Sequence, residues 1–158
     1  MLKKLTPEEV NVDSFDIPTY FNGKTRAYGV FQDRFGRIKR KLSVVMEGRW
    51  QDGCFILEEH FSYEDGRTED RTWTVTLHGD GRFSAESADS VGKGHGMAAD
   101  DCIHMQYIFR LQMKNRILNV DFDDRLYKLD DKRVFNRAVM SKWGIRLGEV
   151  LLLFEKEA

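Results

Sequence analysis

The chain has 158 residues, of which 41% are hydrophobic, and this length predicts one domain with a core of ordinary size. The formal net charge of -1 gives no excess of positive field, which disfavours nucleic-acid binding and attraction to an anionic membrane surface. Cys54 and Cys102 stand far apart without a Cys-x-x-Cys spacing, so neither a disulfide framework nor a thiolate metal site is predicted.

The N-terminal segment, residues 1–20, is predicted to contain one short turn of helix. Thr6 caps this turn, Pro7 takes the first helical position, and Glu9 is the reciprocal acceptor. The segment lacks the apolar run of about 7 to 15 residues that a secretory signal needs, so a cytoplasmic location is expected. No stretch reaches the roughly 20 apolar residues that a membrane-spanning helix needs.

Residues 21–158 are predicted to form a β-barrel domain, because runs of about ten residues alternate in polarity. The runs are separated by breaks at residues 34–36, 51–53, 65–66, 79–81, 92–96, 115–116, 130–131 and 143–144. Short connections make neighbouring strands antiparallel, and a long meander closes on itself to remove its edges. We therefore predict an all-β fold, a single lipocalin-like, up-and-down antiparallel barrel of about 8 to 10 strands that is wide enough for one small ligand.

The hairpin around residues 65–67 places opposite charges on apolar faces. Alternation puts Glu59 on the apolar face of the first strand, and Arg71 and Trp73 on the apolar face of the second. A three-residue loop at residues 65–67 predicts that Glu59 lies opposite Trp73 and diagonally from Arg71. The other residues predicted on these inner faces are Phe55, Leu57, Phe61, Tyr63, Val75 and Leu77.

Later strands add further charges to the predicted inner face. Two-residue turns at residues 115–116 and 130–131 predict that Asp124 lies opposite Tyr107 on one side and opposite Arg137 on the other. The strand from residue 82 to residue 91 adds Asp89 among small side chains, which leave room. The predicted interior polar set is Glu59, Tyr63, Arg71, Asp89, Tyr107, Asp124 and Arg137.

Three functions are consistent with such a lining. In the first, the barrel is filled by its own side chains, the paired charges are structural, and the protein is a structural or interaction module without a ligand. Alternatively, Arg71 or Arg137, helped by a tyrosine, binds a polar head group while the apolar wall takes an acyl chain. In the third, an enzyme, Glu59 or Asp89 moves a proton while Arg71 holds the negative charge that develops.

The leading prediction is non-enzymatic binding of a small amphipathic ligand, a fatty acid or related lipid, inside the barrel. The sequence does not identify the ligand, the oligomeric state or the pathway. The predicted ligand-binding residues are Glu59, Phe61, Tyr63, Arg71, Trp73, Asp89, Tyr107, Asp124 and Arg137.

Three other sequence features carry no site prediction. The glycines at residues 92–96 are expected to form a flexible loop, because no helix pattern follows them to cradle a phosphate. The histidines and aspartates of residues 95–104 lack a metal-ligand spacing, so no metal and no cofactor is predicted. The basic run at residues 37–41 is assigned to a solvated barrel rim, with contact to anionic lipid as the alternative.

Short motifs from about Phe21 to Phe154 carry a family resemblance. They are Asp33-Arg34-Phe35-Gly36, Leu57-x-Glu59-x-Phe61-x-Tyr63-x-Asp65-Gly66, Arg71-x-Trp73, Asp89-x-Val91-Gly92, Asp123-Asp124-x-Leu126-Tyr127, Asn136-Arg137-Ala138 and Gly148-Glu149-Val150. Together they resemble an uncharacterised bacterial family catalogued as a domain of unknown function. The resemblance implies a lipocalin-like (calycin) barrel and, in some genomic settings, neighbours concerned with fatty-acid modification, but no established activity.

The sequence departs from that family at two places. Arg125 stands where the family more usually has Trp, and Ala99-Asp100 replaces a more usual Gly-Asn. Some relatives resemble lipoproteins with an export signal, and none is recognised in this sequence, which puts an envelope location in doubt.

Overall fold

The computed structural model describes residues 15–113 and 115–157, which form one short helix and ten strands. The elements are α1 (Ile17–Phe21), β1 (Gly23–Asp33), β2 (Ile38–Gln51), β3 (Cys54–Tyr63), β4 (Thr68–Gly79), β5 (Arg82–Glu86), β6 (Gly94–Ala99), β7 (Cys102–Met113), β8 (Arg116–Lys128), β9 (Arg133–Lys142) and β10 (Ile145–Lys156). Each strand pairs antiparallel with the next, and β10 pairs with β1. The predicted all-β, closed up-and-down barrel is confirmed.

The expectation of a loop at residues 92–96 is wrong, because β6 begins at Gly94. The strand turns into β7 at Asp100, which adopts a left-handed backbone conformation with φ of 55°. Gly96 is needed for space: a Cβ there would lie 2.2 Å from Cζ of the buried Phe83 ring. The glycines therefore let the β6 backbone pass close to large core side chains. In the sequence, such a glycine-rich strand looks like a loop.

Replacing Gly96 by Ala is expected to lower the free energy of unfolding by about 1 to 3 kcal/mol, the usual range for overpacking a core. Urea denaturation measures this change. In the double variant with Phe83→Leu, the shorter side chain removes the contact with the ring, although the His104 carbonyl oxygen stays 2.8 Å from the new Cβ. The two changes should therefore cost less together than the sum of the single variants. Strictly additive costs would show that Gly96 does not make room for Phe83.

Helix α1 closes one end of the barrel. Asp16 caps the helix, since its Oδ1 accepts a hydrogen bond of 2.8 Å from the backbone N–H of Thr19. The Tyr20 hydroxyl donates to the carbonyl of Lys132 at 2.7 Å, and the Lys156 ammonium donates to the carbonyl of Tyr20. The helix is thereby fixed to the strand ends that surround it.

The helical turn predicted at Thr6 lies outside the described residues. Among those that are described, no helix has the length and apolar character needed to cross a membrane.

The two ends of the barrel differ in packing. The closed end carries α1, and the opposite end, which we call the mouth, is formed by the β1–β2, β3–β4, β5–β6, β7–β8 and β9–β10 connections. Most inner side chains toward the closed end are buried, among them Met46, Phe55, Val75, Ile103, Val134 and Phe154. Inner side chains toward the mouth are half-buried; these form the mouth wall, defined as Phe31, Leu42, Leu111, Leu118, Met140 and Val150. The barrel is therefore filled at the helix end and retains accessible apolar surface at the mouth.

Candidate functional site

The first hairpin places Glu59 directly opposite Arg71, two residues away from the predicted pairing with Trp73. The reason is the position of the turn. The Tyr63 N–H donates to the Arg67 carbonyl at 2.9 Å, so the loop is formed by residues 64–66 and its centre lies one residue before that of the predicted loop at residues 65–67. A shift of two residues keeps every side chain on its face. The predicted inner faces of these strands are therefore confirmed, although the partners differ.

The β7–β8 hairpin shows the same offset of two residues. Met105 lies opposite Asp124, and Tyr107 lies opposite Phe122. The Tyr107 hydroxyl nevertheless reaches diagonally and donates a hydrogen bond of 2.9 Å to Oδ2 of Asp124. The predicted contact between these two residues is thus present in a different register.

Arg137 does not face the barrel interior, and its predicted pairing with Asp124 is wrong. The residue opposite Asp124 is Ala138, an offset of one that turns Arg137 to the outer wall. There the Arg137 Nε donates a hydrogen bond of 2.7 Å to the Glu149 carboxylate. Asn136 takes the inner position and is buried.

The cause of this offset is the β8–β9 connection, which is longer than the predicted two-residue turn. The Leu129 N–H donates to the Arg133 carbonyl at 2.9 Å and so closes a three-residue loop. The Asp130 carboxylate accepts from the backbone N–H groups of Lys132 and Arg133 at 2.9 and 2.7 Å. One additional loop residue is enough to reverse the faces of the strand that follows.

Asp89 lies at the mouth, outside any strand. The strand predicted to continue to Val91 ends at Glu86, and Asp89 belongs to the connection between β5 and β6. Its Oδ2 lies 3.6 Å from the Nε of Arg71. The predicted proximity of these two charges is present, although the Asp89 side chain is 48% exposed.

Two carboxylic acids lie in the barrel interior, in what we call the inner acid site, defined as Glu59, Trp73, Tyr107, Asp124 and Asn136. Trp73 Nε1 donates to Glu59 at 2.9 Å, whereas Asp124 accepts from Tyr107 and from Nδ2 of Asn136. Each carboxyl group is therefore held by fixed neutral donors.

Burial changes the protonation of both acids. Loss of hydration raises the pKa of Glu59 to about 7, although the Arg71 charge and the Trp73 hydrogen bond oppose the rise. Burial also raises the pKa of Asp124 to about 6, against the hydrogen bonds from Asn136 and Tyr107. The pKa of the Tyr107 hydroxyl is raised well above 10 by burial and by the Asp124 charge, so the hydroxyl stays a donor. Near neutral pH the Glu59 carboxyl group is therefore partly protonated and partly ionised.

Arg71 lies above this site with its guanidinium between aromatic rings. The guanidinium carbon is 5.0 Å from the centroid of Phe61 and 4.6 Å from that of Phe109. Its ion pairs with Glu69 and Asp89 are both long, at 3.6 Å, and the side chain is only 13% exposed. Among the described residues, Arg71 Nε has no hydrogen-bond acceptor. The nearby carboxylates therefore leave hydrogen-bonding capacity on a nearly buried cation.

Aromatic rings connect Arg71 to the inner acid site. Trp73 stacks on Phe109 with centroids 5.3 Å apart, and Tyr107 packs against Phe109 at 4.8 Å and against Phe122 at 5.1 Å. This cluster forms an apolar floor beneath the guanidinium.

Sequence reasoning missed Arg40, which joins Arg71 at the mouth. Its guanidinium carbon lies 3.5 Å from the centroid of the Tyr63 ring, and it pairs with Asp65 at 3.8 Å. The Tyr63 hydroxyl in turn donates to Glu69 at 2.9 Å. Alternation contained the signal, because Arg40 falls on the same face as the buried Val44. We call Arg40 and Arg71 the mouth arginines.

Two further features of the barrel lie apart from the mouth arginines. Within residues 15–113 and 115–157, no three His, Cys, Asp or Glu side chains come together to hold a metal ion. A groove of about 380 Å³ lies on the barrel wall, and its lining combines outward side chains such as Lys93, Asp121 and Asp123 with Tyr107 and Phe122 of the aromatic cluster. This groove is separate from the mouth arginines.

Comparison with known proteins supports the fold. The profile of a family described as a protein of unknown function, DUF3833, matches residues 3–156. Comparison with curated proteins gives no match.

Two solved structures are similar to the barrel. The S-type phycobiliprotein lyase CPES from Guillardia theta is 8% identical, with a TM-score of 0.67 over 91% of this chain and 94% of that protein. A protein of unknown function from the DUF3598 family of Nostoc punctiforme is 14% identical, with a TM-score of 0.60 over 94% of this chain and 49% of that protein. At these identities the likeness concerns the lipocalin-like fold alone.

Proposed function

The chain belongs to DUF3833, a family of unknown function, and from this premise and the barrel geometry we propose that it binds a small amphipathic ligand, a fatty acid or related lipid, inside the barrel. The ligand's acidic head group pairs with the mouth arginines, and its acyl chain lies against the mouth wall. Binding leaves the ligand chemically unchanged.

The observation that carries the proposal is that Arg71 is nearly buried and retains a hydrogen-bond donor without an acceptor among the described residues. A guanidinium presents five N–H donors in a planar fork that matches the two oxygens of a carboxylate. Arg71 is nearly buried, its ion pairs are long, and its Nε lacks a hydrogen-bond acceptor among the described residues. A cation held in this way gains stability from an anionic head group that supplies the absent hydrogen bonds.

The mouth wall supports the second half of the proposal. Its apolar side chains are half-buried although they face the interior. Burying such surface against an acyl chain contributes about 25 cal/mol per Å² of apolar area removed from water. A barrel of this size commonly holds one small ligand, and one of the similar solved barrels is an S-type phycobiliprotein lyase.

Binding of the fluorescent fatty acid cis-parinaric acid tests the proposal, with Arg71→Met as the diagnostic variant. The Met side chain keeps contact with the aromatic rings but removes the charge, so we expect at least about tenfold weaker binding from the loss of charge-assisted hydrogen bonds. Fluorescence titration measures the dissociation constant. The matched control is Arg49→Met, which removes an exposed outer-wall arginine that pairs with Glu58, and it should bind like wild type.

The methyl ester of the same fatty acid separates head-group recognition from burial of the chain. Wild type should prefer the acid to the ester, and Arg71→Met should not discriminate between them. Absence of binding to wild type, or an equal preference for the acid in both proteins, would contradict the proposal. Unfolding of Arg71→Met in urea completes the test: a loss of several kcal/mol would instead favour the structural module.

A second candidate, proton transfer on a bound lipid, is favoured by one observation. Burial raises the pKa of Glu59 to about 7, which suits a general acid or base at neutral pH, and Glu59 lies opposite Arg71. Mass spectrometry of lipids incubated with the protein tests it. A chemical change that is produced by wild type and lost in Glu59→Gln would favour catalysis over simple binding.

A further inference from the structure

Exposed apolar side chains gather on one arc of the mouth. Phe35 and Trp143, at the tips of two connections, are 69% and 82% exposed. Ile38 and Ile145 begin β2 and β10, Ile117 is the second residue of β8, and all three are more than half exposed at the same end. The strands that carry or flank the five residues are consecutive around the barrel, in the order β2, β1, β10, β9, β8. The five side chains therefore lie along one arc of the mouth, which we call the apolar arc.

Cationic side chains lie over the two aromatic tips. The guanidinium carbons of Arg34 and Arg37 are 4.9 and 5.7 Å from the centroid of the Phe35 ring, and the Lys142 ammonium is 5.1 Å from Trp143. The basic run that continues through residues 39–41 belongs to the same side of the mouth. The arc thus combines exposed rings with positive charge.

The opposite end of the barrel has the reverse charge. Each of its four hairpin connections carries at least one aspartate: the residues are Asp52, Asp80, Asp100, Asp101, Asp130 and Asp131. With Lys132 included, these four connections sum to -5, whereas the β1–β2 connection at the mouth carries two arginines and no acid, and Glu64, Asp65 and Asp89 lie on the other side of the mouth. The net charge of -1 therefore conceals a separation of charge between the closed end and the apolar arc. A negatively charged plane attracts the mouth and repels the closed end.

From these observations we propose that the apolar arc docks the barrel, mouth first, on the surface of an anionic phospholipid membrane. Trp and Phe are favoured at the level of the head groups, where their rings are partly dehydrated. Adjacent Lys and Arg side chains gain from the negative surface potential of the bilayer. Neither interaction requires a helix to enter the membrane.

Docking in this orientation places the mouth arginines and the mouth wall against the lipid surface. A lipid ligand then moves between bilayer and barrel without crossing bulk water. The membrane contact itself depends on the apolar arc and is independent of whether the barrel holds a ligand.

Flotation with large unilamellar vesicles tests the docking proposal. We expect wild type to bind vesicles of mixed phosphatidylcholine and phosphatidylglycerol much more strongly than vesicles of phosphatidylcholine alone. The double variant Phe35→Ser and Trp143→Ser should bind the anionic vesicles at least about tenfold more weakly, and Arg34→Gln with Arg37→Gln should show a similar loss. Added salt should weaken binding of the wild type.

Matched changes at the closed end are the controls. Leu129→Ser removes an apolar side chain that is 59% exposed, and Arg82→Gln removes an arginine that is 46% exposed. Both controls should bind anionic vesicles like wild type. Absence of binding to anionic vesicles, or equal losses in the mouth and closed-end variants, would overturn the proposal.

Failure of membrane docking can be distinguished from failure of the proposed ligand binding. Arg71→Met keeps the apolar arc and should still bind vesicles, even if it no longer binds the fatty acid. Trp143 fluorescence supplies a second measurement: a shift to shorter wavelength on vesicle addition is expected in wild type and absent in Trp143→Phe.

Discussion

Replacing Glu59 by Gln is expected to stabilise the protein at pH 8 and to leave its stability almost unchanged at pH 4. The usual pKa of the Glu59 carboxyl group is 4.5, and burial raises it to about 7 in the folded protein. Between these pH values the folded state holds a proton that the unfolded chain has released. The free energy of unfolding of the wild type therefore falls as the pH rises through this window.

The size of the effect follows from the two pKa values. Because each pKa unit corresponds to about 1.4 kcal/mol, the buried Glu59 carboxylate lowers the stability of wild type by about 3 kcal/mol above pH 7. Gln keeps an oxygen to accept the Trp73 hydrogen bond and carries no charge to bury. Asp124→Asn should act in the same way between about pH 4 and pH 6, since burial raises the pKa of Asp124 from 3.8 to about 6.

Urea denaturation at several pH values measures these differences between variant and wild type. The matched controls are Glu58→Gln and Asp123→Asn, which alter the neighbouring outward carboxylates on the same strands. These control side chains are 50% and 39% exposed, so they should leave the pH profile almost unchanged. If the free energies of unfolding of Glu59→Gln and wild type change in parallel from pH 4 to pH 8, the inference that folding raises the pKa of Glu59 is wrong.

Replacing Asn136 by Leu is expected to destabilise the protein by about 3 to 5 kcal/mol at pH 8, the usual cost of removing a partner from a buried charge. Asn136 Nδ2 donates to the Asp124 carboxylate and, at 3.0 Å, to the carbonyl of Arg125. Leu has a similar volume but no donor. Among the described residues, the ionised carboxylate then keeps the Tyr107 hydroxyl as its one hydrogen-bond donor, and its burial becomes more unfavourable.

The pH dependence identifies the cause of this loss. At pH 4 the Asp124 carboxyl group is neutral in the folded protein, so Asn136→Leu should cost only about 1 to 2 kcal/mol for the lost neutral hydrogen bonds. Asn119→Leu is the control, because Asn119 lies exposed on the outer face of β8. A cost that is equal at pH 4 and pH 8 would show that Asn136 acts through packing and not through the Asp124 charge.

The inner position of Glu59 can be predicted from the sequence, whereas that of Asn136 cannot. Glu59 is visible in the sequence because a carboxylate interrupts a regular alternation of apolar residues on its strand. Asn136 is not visible in this way, because its inner position depends on the β8–β9 register. Alternation within one strand identifies a face, whereas the identity of the residue across from it depends on the length of the turn.

The glycine-rich segment and Arg40 show a similar limit. Gly94 and Gly96 are typical of a loop in sequence, and only their close neighbours in the barrel, the Cβ of Tyr107 at Gly94 and the Phe83 ring at Gly96, explain them as strand residues. Arg40 alternates with inner residues but lies in a basic run, which favours a solvated rim. Its contact with the Tyr63 ring arises because β2 and β3 are neighbours in the barrel.

The sequence alone determined the all-β barrel and the inner position of Glu59, Arg71, Trp73, Tyr107 and Asp124. These features follow from the two-residue period of a strand and from turn residues at regular spacing, which are local properties of the chain. Only the tertiary structure decided that Arg137 faces outward, that Asn136 holds Asp124, and that the inner apolar side chains of the mouth wall are only half-buried. Those properties depend on register and closure, where one additional residue in a loop reverses a face and distant strands become neighbours.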